Sequence, residues 1–185
     1  MENDITLSPL RLAILGLVAM HPQSGYDLRK VFETTPMGNF SSSPGAIYPA
    51  LKSLEKKGWI RGESENTESL RPRQVFSITD EGDAILRAEL EKPVTRDELI
   101  WHFDLVMLRF AFIDRLGNEQ ALRFLREFQN ESEAYVRHLE EIRGQMQQYM
   151  SPSGRLALEH GIQSSRGSAR WAKEAIDELS ELEKE

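Results

Sequence analysis

The 185 residues leave room for one domain of good size or two small ones, each able to bury a core, and two are expected. With no cysteine there is neither a disulfide framework nor a thiolate metal site, and without an 18-residue apolar run or a secretory-type leader a cytoplasmic chain outside the membrane is expected. The net charge of −7 argues against a nucleic-acid partner only if the basic residues are evenly spread, so their placement decides the question.

They are not evenly spread. Residues 1–90 hold 10 Lys+Arg against 12 Asp+Glu, whereas residues 91–185 hold 13 against 18, so most of the acidity falls in the second half. In the first half, Lys52, Lys56, Lys57, Arg61, Arg71 and Arg73 cluster in one stretch, and Glu63, Glu65 and Glu68 crowd a short loop within it.

Ser8-Pro9 is a helix-start signal, with Leu10, Ile14, Leu17 and Val18 recurring at helical spacing, and the spacing predicts a first helix to about Met20. After the break at His21-Pro22-Gln23, Ser24 can cap a second helix whose buried stripe is Leu28, Val31 and Phe32, and Thr35-Pro36-Met37-Gly38 ends it. Ser43-Pro44 repeats the start signal for a third helix that places Ile47, Ala50, Leu51 and Leu54 on one face. Its other face carries Gly45, Tyr48, Pro49, Lys52 and Lys56, a small, aromatic and basic surface that suits phosphates and groove walls, although solvent exposure alone also explains it. An interior proline removes a backbone hydrogen bond. Either regular helix begins near Ile47, with Pro49 in its first turn, or it begins at Pro44 and bends at Pro49.

Gly58 is a left-handed stop, and Trp59-Ile60 and Gln74–Ile78 are short β-rich segments flanking a polar hairpin loop. Arg71-Pro72-Arg73 sets an extended entry to the return strand, from which Arg71 and Arg73 can reach a minor groove or a phosphate. The plainer reading pairs them with Glu63, Glu65 and Glu68 across the hairpin. Trp59 and Phe76 are expected beneath the ribbon as core. Thr79 then caps a fourth helix with Asp80 and Glu81 in its first turn.

Three helices and a two-stranded wing make a winged helix-turn-helix, with the third helix as reader. The blocks LSPLRLAILGLVAMHPQSGYDL, SPGAIYPALKSLEKKGWI and RPRQVFSITDEG, in that order over roughly residues 7–90, resemble the PadR family of bacterial transcriptional regulators. The resemblance implies a repressor of promoter DNA in which Tyr26 lies beside the DNA backbone. On the same ground Ser43, Gly45, Tyr48, Pro49 and Lys52 face the groove, and Arg71 and Arg73 belong to the wing.

In the second half, Thr95 and Glu98 form a capping box opening a helix through Leu99, Phe103, Val106, Phe110 and Ile113 that is apolar over much of its circumference. Asn118 can cap the next helix, where Leu122, Leu125, Phe128, Ser132, Tyr135, Leu139, Ile142, Met146 and Tyr149 form a heptad seam. Continuous to Tyr149, it would be about 47 Å long, too long for one small domain to cover. Ser151-Pro152-Ser153-Gly154 turns the chain into a second seam, Leu158, Ile162, Ser165, Ala169, Ala172, Ile176 and Leu179, with Trp171 beside it. Antiparallel packing within the chain accounts for part of the burial and a second copy for the rest, so a homodimer is expected, reading a palindromic site with half-sites one or so helical turns apart.

The expected fold is therefore mainly α: a winged helix-turn-helix with a two-stranded β wing over residues 1–92 and a long-helix dimerisation domain over 93–185. The family resemblance also implies a small effector in the helical half. Trp101, Phe103, Phe110 and Trp171 could line its cavity, against the plainer reading that they are dimer core. No enzyme is expected, and no cofactor or metal: His21, His102, His138 and His160 are scattered, with no metal spacing and no glycine-rich phosphate loop. The rival reading is a winged-helix protein-interaction module on a helical scaffold, since fold alone does not fix function.

Overall fold

The computed structural model describes residues 7–41, 44–65 and 73–182. Ser43, Glu68 and Arg71 thus lie outside the described residues. The chain divides into two compact units, one reaching to Leu90 and the other beginning at Glu91.

In the first unit α1 (Pro9–Met20) starts where Ser8-Pro9 indicates. Ser8 is extended and its carbonyl accepts the Leu12 N–H at 3.0 Å, although its hydroxyl caps nothing. Burial runs without a gap from Leu12 to Val18, wider than the predicted stripe, because the helix is apolar on every side and occupies the middle of the unit. A full capping box opens α2 (Gly25–Thr34), with Leu28 and Phe32 buried and Val31 half-buried. A 3-10 turn, Pro44–Ala46, leads into α3 (Ile47–Lys56), which buries Ile47, Ala50, Leu51 and Leu54. Pro49 therefore sits in the first turn, where its missing N–H has no intrahelical partner to lose.

Gly58, at φ 75°, closes α3, and the Trp59 N–H returns to the Leu54 carbonyl at 3.0 Å. The ribbon is β2 (Ile60–Glu65) against β3 (Arg73–Ile78), antiparallel, with Ile60 opposite Ile78 and Glu65 opposite Arg73. The expected two-stranded wing gains a third strand. Gln23–Ser24 forms β1 on the other edge of β3, Gln23 facing Phe76, in the order β1-β3-β2. What holds it there is the buried Gln23 side chain, which donates to the Leu17 carbonyl at 2.9 Å and keeps the α1–α2 connection extended. Trp59 and Phe76 are buried beneath the sheet. The Thr79 hydroxyl caps α4 (Asp80–Leu90) through the Gly82 N–H at 3.1 Å. Here α4 presses so closely on the ribbon that a Cβ on Gly82 would lie 1.9 Å from the Trp59 carbonyl oxygen, which leaves room for glycine alone. Three helices and the ribbon make the winged helix-turn-helix.

In the second unit the predicted single helix is broken in two. The Thr95–Glu98 capping box opens α5 (Arg96–Trp101), the backbone leaves helical geometry at His102 (φ −141°, ψ 37°), and α6 runs from Phe103 to Phe110. The reason is Arg109. Its guanidinium, fully buried, donates to the Lys92 carbonyl at 3.1 Å and pairs with Glu98 at 3.3 Å. On a straight helix Glu98 and Arg109 would stand roughly 16 Å apart along the axis.

A 3-10 turn, Ile113–Leu116, leads to α7 (Asn118–Met146). Asn118 is not its cap, as predicted, but its first residue. Gly117, at φ 91°, holds the cap position, and the Asn118 amide instead donates to the Leu179 carbonyl at 3.3 Å. The α-helix ends at Met146 and a 3-10 turn, Gln147–Tyr149, finishes the run that was expected to be continuous. Ser151 both turns the chain and opens α8 (Pro152–Leu182), its hydroxyl accepting the Gly154 N–H at 3.1 Å.

The two long helices pack through Val136, Leu139 and Ile162, with Tyr135, Ile142 and Leu158 against them. An ion pair, Arg143–Glu159 at 3.0 Å, and a second between Arg166 and Glu140 flank the seam. Met146 and Tyr149, placed in the seam by their spacing, are exposed in the single chain. Among the described residues no helix is long and apolar enough to cross a membrane.

Candidate nucleic-acid interface

The first unit brings three of the sequence-derived site residues together. Tyr26 in the first turn of α2, Tyr48 on α3 and Arg73 at the start of β3 line one concavity of about 220 Å3, with Ser24 and Gln74. Tyr26 is 61% and Tyr48 48% exposed, high for tyrosines beside a core. Gly45, Pro49 and Lys52 are exposed on or just before α3 but do not line that concavity. Lys52 makes no ion pair among the described residues, which leaves its charge available to an anion.

Arg73 has a partner on another element. Its guanidinium pairs with Asp27 on α2, a partner that neither expectation named; of the hairpin glutamates, the Glu68 residue and the Glu65 side chain lie outside what is described. Glu63 pairs instead with Arg61 at 2.9 Å. Asp27 is the residue that sequence reasoning missed. Its Oδ2 also accepts from the Ser24 N–H at 3.2 Å and the Ser24 hydroxyl at 2.8 Å. Partial burial acts to raise its pKa, but the Ser24 hydrogen bonds and the Arg73 charge outweigh that and hold the carboxyl below its ordinary value. One carboxylate thus caps α2 and fixes the root of the wing.

Glu55 makes the matching tie from α3. Its Oε1 accepts from the Gly62 N–H at 3.1 Å and from the Gln74 amide at 3.3 Å. α3 and both ribbon strands are therefore tied together. The signal for Asp27 was legible, since Ser24-x-x-Asp27 is a capping pattern. For Glu55 there was none, because its partners are a backbone N–H and an amide on other elements.

In the helical unit the four aromatic residues of the effector expectation do not form one site. Phe110 and Trp171 meet edge to face at 5.4 Å between centroids and border a cavity of about 400 Å3 with Ile113, Asp114, Glu178 and Leu179. Phe103 instead packs edge-on against Phe128, and Trp101 is 74% exposed on α5. An aromatic acid in the cavity would face two carboxylates, so its lining favours an uncharged or cationic ring. No group of three or more His, Asp or Glu placed to hold a metal occurs among the described residues.

Residues 14–88 match the transcriptional regulator PadR-like family, and residues 104–180 match the virulence activator alpha C-term family. The transcriptional regulator YqjI of Escherichia coli K12 is 31% identical over 91 residues, 49% of this chain and 42% of that protein. The negative transcriptional regulator PadR of Bacillus subtilis is 30% identical over 118 residues, 60% of each. The chain spans about half the length of these curated relatives. Among solved structures, Bacillus subtilis PadR in complex with operator DNA aligns over 94% of this chain and 99% of that one, at 24% identity and a TM-score of 0.43.

The Asp27 tie is checked by Asp27→Asn, which should lower stability in urea unfolding by roughly 1 kcal/mol. Because the folded carboxyl titrates below its unfolded value, the wild type should hold this advantage above the ordinary carboxylate range and lose it as pH falls through the lowered pKa. A gap between wild type and variant that is unchanged on acidification would contradict the assignment.

Proposed function

We propose that this chain, whose residues 14–88 match the transcriptional regulator PadR-like family, is a member of that family and represses transcription as a homodimer seated on a palindromic promoter operator. The observation that carries the reading is the convergence of Tyr26, Tyr48 and Arg73, from three different elements, on one outward concavity beside the exposed Lys52 face of α3. In this reading α3 lies in the major groove with Gly45, Tyr48 and Pro49 against its wall, and Lys52 and the Tyr26 hydroxyl take phosphates. Ser43 and Arg71 complete the contact set.

Arg73 has two duties: tied to Asp27 it holds the ribbon at a fixed angle to α3, and its remaining N–H groups face the duplex. Dimerisation belongs to the helical half. It leaves Met146, Tyr149, Leu156 and Leu182 exposed in a single chain, apolar surface that a second copy would cover. The cavity beside Phe110 and Trp171 is the place for a small aromatic effector that releases the operator.

Binding to the promoter beside the chain's own coding sequence, followed by fluorescence anisotropy, should weaken steeply with salt. Lys52→Ala should lower affinity by about tenfold and reduce the salt slope by about one, and Arg73→Ala should lower affinity with the dimer intact. Equal binding by the wild type and both variants would overturn these roles. For the effector, uncharged and cationic aromatic compounds should perturb a tryptophan emission that Trp171→Phe removes. A response undiminished by that substitution would place any such ligand elsewhere.

A further inference from the structure

One exposed stripe of α8 runs Arg166, Arg170, Lys173, Asp177, Glu181, in steps of four, three, four and four, so that all five residues share a helix face whose first half is basic and second half acidic. Arg170, Lys173, Glu174, Asp177 and Glu181 make no ion pair or side-chain hydrogen bond among the described residues. The basic half lines a groove of about 420 Å3 between the long helices, floored by Val136 and Ala169 and flanked by a further arginine, Arg137. Like charges three and four residues apart destabilise a helix on its own. In a chain with 30 acidic residues against 23 basic ones, this groove is lined by four cations and one carboxylate, Glu133, and among the described residues Arg166 alone of the four cations has an ion-pair partner, Glu140.

A two-fold dimer interface must complement itself. When α8 is laid antiparallel on a second copy about an axis between Lys173 and Glu174, Arg166 meets the partner's Glu181, Arg170 meets the partner's Asp177 and Lys173 meets the partner's Glu174. Each of these pairs is centred on the same axis and occurs twice. A shift of the register brings the two basic halves or the two acidic halves together. We propose that α8 is the pairing element of the homodimer, joined antiparallel to its counterpart in this register, with the acidic half of each helix seated in the basic groove of the other. The inference rests on the dimer reading above and adds to it which helix face meets which, and in what alignment.

The test is charge exchange in the full-length protein, with sedimentation equilibrium for assembly and circular dichroism for helix content. Arg170→Glu and Asp177→Arg, each alone, should raise the dimer dissociation constant by on the order of tenfold or more, since each places like charges opposite one another twice. Mixed together, the two variants should form a heterodimer of wild-type affinity, because every exchanged charge then faces its opposite. The double variant Arg170→Glu/Asp177→Arg should dimerise with itself. A dimeric wild type whose affinity is unchanged in both single variants, with no preference for the mixed dimer, would overturn the α8 pairing and leave the dimer standing. A monomeric wild type would overturn the dimer reading and this pairing with it.

Discussion

The Asp27 carboxylate holds the first unit in its working shape. It accepts from Ser24, the residue that both caps α2 and pairs with β3, and it anchors Arg73, the first residue of β3. Through that strand the constraint passes along the sheet register to Ile60 and Ile78, and from there to the close contact of α4 with the Trp59 carbonyl. Glu55 closes the circuit from the side of α3. For the proposed seating of α3 and the wing on one duplex, an angle set beforehand matters because each ordering step left to the moment of binding subtracts from affinity. Here two carboxylates set it, and surface pairs that contribute little to stability one by one acquire their importance as positioning groups.

Arg109 plays a comparable part in the helical unit. A buried guanidinium is costly unless its donors are met, and its pairing with Glu98 and the Lys92 carbonyl is what folds α6 back on α5. Its Nε has no hydrogen-bond partner among the described residues, and the guanidinium carbon instead lies 5.5 Å from the Phe124 ring centroid. That ring stacks on Phe110, which meets Trp171 on α8. The short helices and the long ones are thus joined through one buried cation and a chain of aromatic rings.

What local pattern specifies was legible in the sequence, and what distant contacts specify was not. The stop at Gly58, the capping boxes at Ser24 and Thr95, the stripe of α3 and the opening of α8 at Ser151 all follow from residues within a turn of the feature they make. The two-residue β1 was illegible because it is too short for any periodicity and is held by Gln23, whose acceptor belongs to another helix. The break at His102 was hidden for a similar reason: apolar periodicity continues across it, and the cause is an ion pair spanning eleven positions. At the candidate site, residue types and faces could be read for Tyr26, Tyr48 and Lys52, whereas the partner of Arg73 could not, since Asp27 lies 46 positions away on α2 and the hairpin glutamates are nearer in sequence. In the effector expectation, helical spacing placed Trp101, Phe103 and Phe110 on one helix and Trp171 beside the last seam, but carried no information on the break after Trp101, which is exposed.

The central claim is that two copies of one winged unit are held in fixed register on a single duplex. Footprinting of the promoter DNA with the stoichiometry measured on the same complex tests it most directly. Two protected half-sites in inverted repeat, centred about one or two helical turns apart with two chains per duplex, are the result expected. Protection of a single half-site by one chain, or binding with no preferred sequence, would contradict it.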